Sequence, residues 1–192
     1  RCGLFKDEAA DYIKRMKEIP ENKKVVLIVP DQYSYMAEKK MSEVFLGTGL
    51  NQKYVYTFSQ MKRTFLNLNE KLYLKQSGKN MLIRYVADRA IDEDSIFYSS
   101  KQSSGFLENL NSLISELKRY CITKDLLIEN AEKSNNKILK NKLITIASVL
   151  GEFDSLLEER LFLDADDDFT RLAEVILDNG YFKDSYVWVD KF

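Results

Sequence analysis

The stretch Lys24–Tyr35, KVVLIVPDQYSY, decides the fold of this chain. It opens with five consecutive apolar residues, Val25–Val29, four of which are β-branched. An apolar run this short predicts a strand buried on both faces, as central strands of parallel sheets are. Pro30 lacks a backbone donor and ends the strand. The polar residues Asp31 and Gln32 then lie where open α/β sheets place their binding sites, beyond the carboxyl end of a strand.

The segments around this strand predict alternating helices and strands. We predict a helix over residues 7–19 and a second helix with Ser34 as its N-cap and Glu38 near capping-box spacing. A second strand is predicted at Lys53–Thr57, followed by a helix for which Ser59 is the expected N-cap. This order predicts an α/β fold with a parallel sheet.

The middle of the chain carries helical periodicity only. We predict five helices there, with a loop at Ser95–Gly105 between the first and the second. A third strand is predicted after them, at Tyr186–Asp190. The helices therefore form an insertion at residues 77–179 in an α/β domain made of residues 1–76 and 180–192. The residues predicted to mark their apolar faces are Met81, Leu82, Tyr85 and Val86; Phe106, Leu110, Leu113, Ile114 and Leu117; Leu126, Leu127 and Ala131; Ile138, Leu143, Ile146, Phe153 and Leu157; and Phe169, Leu172, Ala173 and Ile176.

The composition excludes several classes of site. The 192 residues include 29 Lys and Arg, 30 Asp and Glu and no His, for a net charge of −1. Without His, the chain cannot form a histidine-dependent catalytic triad or a histidine zinc site. The basic residues form no stripe of the kind typical of nucleic-acid binders. Cys2 and Cys121 match no metal-binding spacing and favour a reducing, cytoplasmic setting.

The chain carries no sign of a membrane partner or of a catalytic centre of its own. No apolar run approaches the roughly 20 residues that cross a bilayer, and we find no signal peptide. We expect no catalytic residue and no metal ligand here. The chain starts at Arg1-Cys2-Gly3 without an initiator Met, and we expect it to be a piece of a longer protein.

The first residues contain an incomplete phosphate-binding loop. P-loops follow the pattern GxxxxGK[ST], and Gly3 and Lys6 match one glycine and the lysine. Phe5 places a side chain where the backbone approaches phosphate, and Asp7 replaces the Ser or Thr that binds magnesium. Asp190, at the end of the third predicted strand, is the candidate acidic partner of such a loop. An ordinary loop that leads into a helix is the alternative interpretation.

Several ordered blocks of the sequence match one family. VPDQ at Val29–Gln32 and ELKRY at Glu116–Tyr120 are the most specific, and the others are YVYTFSQM, GKNMLIRYV, ILKNKLITIASVLGEF and YVWVDKF. Together they resemble the amino-terminal part of AddB, one of the two proteins of bacterial AddAB-type ATP-dependent helicase–nucleases. The resemblance covers nearly the whole chain.

The resemblance implies a P-loop (RecA-like) parallel sheet of few strands with a large all-helical insertion, as in the first domain of superfamily-1 helicases. It implies a role in double-strand break resection and recombinational repair, in which this protein binds single-stranded DNA and scans it for a hotspot sequence. The A subunit would be the motor and the partner in a heterodimer. The nuclease domain, its Mg and a 4Fe-4S cluster would lie outside this chain.

The resemblance also assigns a nucleotide site. The family's GRxGxGK[ST] loop maps onto Arg1, Gly3, Lys6 and Asp7, and Asp190 corresponds to the acidic strand end of such sites. Phe5 and Asp7 depart from this loop pattern, and both departures argue against binding of ATP and Mg.

The family's DNA-contacting positions map onto Gln32, Ser34 and Phe58, and onto Gln60 and Arg63, where the family has Arg and Trp. Gln can bond a base edge through both amide groups, Ser can reach a base or a phosphate, and Phe can stack on an unpaired base. The replacements at Gln60 and Arg63 argue against recognition of the same hotspot. In the alternative interpretation, Gln32 and Ser34 cap a helix and Phe58 belongs to the core.

Three functions are therefore open on sequence grounds. The first is a DNA-scanning helicase-like domain without catalytic activity. The second is an active P-loop nucleotide hydrolase, for which Gly3, Lys6 and Asp190 are the candidates. The third is a scaffold that holds the A subunit through the helical insertion.

Overall fold

The computed structural model describes residues 15–20, 22–45, 52–66 and 72–191. The loop residues Arg1, Gly3, Lys6 and Asp7 lie outside these ranges, as does most of the helix predicted over residues 7–19. Within the described ranges, no helix has the length and apolar character that crossing a membrane requires.

Three parallel strands form the sheet of the described part: β1 (Lys24–Ile28), β2 (Lys53–Tyr56) and β3 (Ser185–Val189). β1 lies in the middle, with β2 on one side and β3 on the other. Ile28 of β1 is in register with the last residue of each neighbouring strand. The predicted α/β class with a parallel sheet of few strands is therefore confirmed.

Helices make up most of the described chain. The α-helices are α1 (Ser34–Val44), α2 (Phe58–Phe65), α3 (Gln76–Ala90), α4 (Ser104–Arg119), α5 (Lys124–Lys133), α6 (Lys137–Arg160) and α7 (Asp168–Asp178). Three short 3-10 helices lie at Asp31–Tyr33, Tyr98–Ser100 and Ala165–Asp167.

The chain divides into two compact units, and one interrupts the other along the sequence. Unit 1 comprises Arg1–Leu68 and Arg171–Phe192 and contains the sheet. Unit 2 comprises Asn69–Thr170 and contains α3 to α6.

The centre of unit 1 is β1 with the residue that follows it, Val29. No residue of Val25–Val29 is more than 6% exposed, which confirms a strand buried on both faces. Burying one such side chain contributes about 1.5–3 kcal/mol to stability. On one face, Val25, Leu27 and Val29 cluster with Met16, Ala37, Met41 and Phe45. On the other face, Val26 and Ile28 cluster with Met61, Leu66 and Leu172.

Unit 2 has an apolar core of its own, in which Ile83, Ile114, Leu150 and Phe153 are almost completely buried. The core faces of its helices differ in part from the predicted ones. Several predicted core residues are exposed instead: Met81 (75%), Ile138 (62%), Tyr85, Leu126 and Phe169.

The predicted face of α3 is only partly correct: Val86 is buried and Leu82 packs against the core, but Met81 and Tyr85 are exposed and a charged residue occupies a core position. Lys79 shares the buried face with Ile83, Val86 and Ala87, and an apolar count assigns that position to the surface. The loop predicted at Ser95–Gly105 is also shorter than expected, since α4 begins at Ser104.

The helix caps differ from the predicted ones. Ser34 is the first residue of α1 and not its cap, and its hydroxyl donates to the carbonyl of Asp31 at 3.0 Å. α2 is capped by Thr57 and not by Ser59. Thr57 Oγ1 accepts from the Gln60 N–H at 3.1 Å, and Gln60 Oε1 accepts from the Thr57 N–H at 3.0 Å. These two bonds form a capping box.

An ion network fixes the acidic turn before α7 in unit 2. Lys79 Nζ contacts Asp164 Oδ2 at 2.7 Å and Asp166 Oδ2 at 2.8 Å, with the Lys79 side chain only 5% exposed. Burial tends to raise the pKa of Asp166, but hydrogen bonds from Lys79, Ser115 and Arg119 outweigh it and lower the pKa to about 2. Both carboxylates therefore face a cation in the interior of the unit.

A second buried lysine completes the network. Lys118 Nζ contacts Asp154 Oδ1 and Asp167 Oδ2, each at 2.7 Å. Burial tends to lower the pKa of Lys118, but these two carboxylates outweigh it and raise the pKa. Lys118 and Arg119 are the two basic residues of the ELKRY block. Lys118 pairs with Asp167 and Arg119 with Asp166, so the ion pairs of this block lie within unit 2.

We predict that Lys79→Ala lowers the free energy of unfolding by about 3–5 kcal/mol, because it leaves two carboxylates inside the protein without their cation. Chemical denaturation followed by circular dichroism measures this loss. The matched control is Lys133→Ala, which removes an exposed ion pair with Glu129 in α5 and should cost no more than about 0.5 kcal/mol. Equal losses in the two variants would contradict the role given to the buried network.

We also predict that Thr57→Val destabilises the protein by about 0.5–2 kcal/mol, because the Gln60 N–H loses its acceptor. Ser34→Ala is the control and should change the free energy of unfolding by less than about 0.5 kcal/mol. Urea denaturation of both variants is the measurement. A larger loss of stability for Ser34→Ala than for Thr57→Val would contradict this assignment and would support Ser34 as the cap of α1, as the sequence predicted.

Candidate nucleic-acid interface at the strand ends

The carboxyl ends of the three described strands meet at one edge of the sheet in unit 1. The Val29 N–H donates to the Tyr56 carbonyl at 2.9 Å, which joins the end of β1 to the end of β2. The Asp190 N–H donates to the Ile28 carbonyl at 3.0 Å, which joins the end of β3 to β1. The residues that follow β1 and β2 therefore lie on adjacent loops, as sheet topology requires.

The loop after β1 presents Gln32 to solvent. Pro30 has an extended backbone and is followed by the 3-10 helix Asp31–Tyr33, whose three residues are all exposed. Ser34 comes next and is half-buried, with its hydroxyl bonded to the backbone of its own loop. Of the two residues predicted to bind DNA on this loop, Gln32 is therefore the more accessible.

Asp31 ties this loop to the one after β2. The Ser59 hydroxyl donates to Asp31 Oδ2 at 2.7 Å, across 28 positions of sequence. Hydrogen bonds from Thr57 and Ser59 lower the pKa of Asp31, and the positive charges of Arg63 and Lys62 lower it further. The carboxylate is therefore ionised at neutral pH and holds two turns of the surface together.

The three residues of α2 that were predicted to contact DNA, Phe58, Gln60 and Arg63, differ in exposure and in their partners. The side-chain amide oxygen of Gln60, Oε1, accepts from the Thr57 N–H in the capping box, so this side chain has a structural role. Phe58 is half-buried and packs against the apolar cluster around Val26 and Met61. Arg63 is exposed, and its charge acts on Asp31. It follows Ser59 by one helical turn and so shares the same face of α2.

Asp190 is half-buried at the end of β3, and Lys191 after it has a positive φ of 72°. The loop residues to which a nucleotide role was assigned, Arg1, Gly3, Lys6 and Asp7, lie outside the described ranges. In the described ranges, no group of three or more Cys, Asp or Glu converges in a way that could hold a metal ion. What this edge offers is an exposed amide at Gln32, on the loop after β1, and an exposed guanidinium at Arg63, on α2.

The roles of two residues at this edge were not identified from the sequence. Thr57 is 1% exposed and holds the start of α2, and Asp31 links the two loops. The capping box has a local sequence signal, Thr-x-x-Gln at Thr57 and Gln60, that could have identified the cap. The bond between Asp31 and Ser59 has no such signal, because it depends on the pairing of the strands.

Comparison with known proteins identifies the family. The model of the family described as "ADDB, N-terminal" matches residues 8–192. Three similar curated proteins are each named as the B subunit of an ATP-dependent helicase/deoxyribonuclease. The one from Ruminiclostridium cellulolyticum is 34% identical over 197 residues, covering 100% of this chain and 17% of its own length. The one from Clostridium tetani is 32% identical over 186 residues, covering 94% of this chain and 16% of its own length. The one from Clostridium novyi is 31% identical over 185 residues, covering 95% of this chain and 16% of its own length.

These relatives are much longer than the chain, which spans only 16% to 17% of their length. The matched region nevertheless covers nearly all of the chain, both sheet and helical unit. The chain therefore belongs to the family of AddB amino-terminal regions.

Proposed function

We propose that this chain is the helicase-like amino-terminal part of a helicase–nuclease subunit, and that it binds single-stranded DNA along the carboxyl edge of its sheet. The observation that carries the proposal is the placement of Gln32 on the loop after β1 and of Arg63 on α2, two segments that the bond between Asp31 and Ser59 joins at this edge. Gln32 would bond the edge of an unpaired base and Arg63 a neighbouring phosphate. In this role the chain scans a passing strand for a hotspot sequence and is not the motor.

The proposed domain assignment follows from the order of elements. A parallel sheet interrupted between β2 and β3 by a helical unit is what a RecA-like domain with an inserted helical domain would have. We assign residues 1–76 and 180–192 to the first and residues 77–179 to the second; the compact units of the structure instead change over at Leu68/Asn69 and Thr170/Arg171, which leaves most of α7 with the sheet. Shared fold alone does not establish an activity, so the DNA role depends on the residues of the edge.

The names of the relatives support the choice of substrate and partner. The B subunit of an ATP-dependent helicase/deoxyribonuclease acts on DNA together with at least one other subunit. We propose that this chain works in the same way, with an A subunit as the motor, in break resection and recombinational repair. The nuclease region, with its Mg and iron–sulfur cluster, would belong to parts of such a protein outside these residues.

The test is single-stranded DNA binding by fluorescence anisotropy in the full-length protein, across a salt series and with EDTA to suppress cleavage. Gln32→Ala should weaken binding by about tenfold, the equivalent of one good hydrogen bond. Arg63→Ala should lower the slope of log affinity against log salt by about 0.7, the value for one phosphate contact on a single strand. Phe58→Leu keeps the core filled and tests whether its ring stacks on a base.

Lys39→Ala is the matched control for charge, because Lys39 is an exposed lysine of α1. This variant should leave both affinity and salt slope near those of the parent protein. Binding unaffected by Gln32→Ala and Arg63→Ala would move the DNA site away from the strand ends. Loss of the interaction with the A subunit on changes to unit 2 would favour the scaffold function.

A second candidate, ATP binding, is favoured by the position of Asp190, whose strand end adjoins β1. If a nucleotide binds the native state, ATP and Mg at 100 times the dissociation constant raise the free energy of unfolding by about 2.7 kcal/mol. We expect no such rise, because Phe5 and Asp7 depart from the loop pattern. Thermal denaturation with and without nucleotide decides the question, and Asp190→Asn should remove any rise that is found.

A further inference from the structure

We propose that Asp31 is a positioning residue for the DNA surface: its carboxylate holds the turn after β2 against the turn after β1 and so sets the spacing between Gln32 and Arg63. The inference rests on the proposed function and deepens it. Asp31 would act through the two loops and not by touching the DNA itself.

The geometry places Asp31 at the junction of the two turns. Its Oδ2 accepts from the Ser59 hydroxyl at 2.7 Å, and Thr57 bonds to the same carboxylate. Thr57 Oγ1 is at the same time the acceptor for the Gln60 N–H. The Asp31 carboxylate is therefore connected to the cap that fixes where α2 begins. Arg63 projects from that helix, so its position depends on the same cap.

The tie between Asp31 and Ser59 lies at an exposed position, so we expect it to contribute little to stability. Asp31 is exposed, and hydrogen bonds at exposed positions exchange with water and contribute little to folding. A carboxylate on a surface that binds a polyanion also repels the ligand. A residue that orders the loops lowers the entropy lost when DNA binds, and this gain offsets the repulsion.

The two roles open to Asp31, a charge and a positioning group, have opposite effects on DNA binding. If Asp31 contributes only a negative charge, its removal strengthens DNA binding, as removal of any nearby acid does. If Asp31 positions the loops, its removal weakens binding, and removal of Ser59 has the same effect. A direct bond from the carboxylate to a base amine would also weaken binding on removal, but it would not depend on Ser59.

The experiment is a double-mutant cycle in the full-length protein, with Asp31→Ala, Ser59→Ala and the double variant. Affinity is measured by anisotropy in EDTA on a randomised single-stranded library, and sequencing of the bound fraction gives the base preference. We expect each single variant to weaken binding by about tenfold and to flatten the base preference. The double variant should also lose about tenfold, and not the hundredfold that independent contacts would give.

Glu38→Gln is the matched control, because Glu38 is an exposed acid of α1 that takes no part in the tie. It should bind DNA as tightly as the parent or more tightly, with unchanged base preference. Asp31→Asn keeps one acceptor oxygen and should fall between the parent and Asp31→Ala. Melting temperatures of all variants should match that of the parent, which separates positioning from unfolding.

Three results would overturn the proposal. Tighter binding of Asp31→Ala, like Glu38→Gln, would make Asp31 a charge only. Multiplying losses in the double variant would make Asp31 an independent contact. A parent protein with no salt-sensitive binding to single-stranded DNA would remove the proposed function itself, a result distinct from the other two.

Discussion

The structure of unit 1 depends on the burial of β1 on both faces. Val25, Leu27 and Val29 face one apolar cluster and Val26 and Ile28 face another, so every side chain from Val25 to Val29 is removed from water. A strand in this position must be paired on both edges, because its backbone groups have no access to solvent. β2 and β3 satisfy them, and the parallel direction of all three brings their carboxyl ends to one edge.

At this edge a sheet carries the loops that form the surface, the usual arrangement for a binding site. The strands fix where each loop starts, and Pro30 and the Thr57 cap fix how each loop leaves its strand. The bond between Asp31 and Ser59 then joins the two loops. Gln60, Phe58 and Ser34 are half-buried, whereas Gln32 and Arg63 are exposed, as is Asp31 between them in the tie.

Unit 2 shows a different balance of forces. Beside its apolar core, Lys79 and Lys118 are buried and paired with aspartates of the turn before α7. Buried ion pairs add little net stability compared with apolar residues, but breaking one is costly. The network therefore specifies which turn packs against α3 and α4, and this specificity accounts for charged residues at positions that periodicity would assign to the surface.

The sequence by itself determined the α/β class, the buried strand and its end at Pro30, because these follow from local composition and chain stiffness. It also placed Gln32 at a strand end. Only the tertiary structure decided which helix faces are buried, since Lys79 enters the core through distant aspartates, while Met81 and Ile138 stay outside. The tie between Asp31 and Ser59 was likewise decided by tertiary structure. Its two residues are 28 positions apart, and they meet only because β1 and β2 pair in parallel and in register.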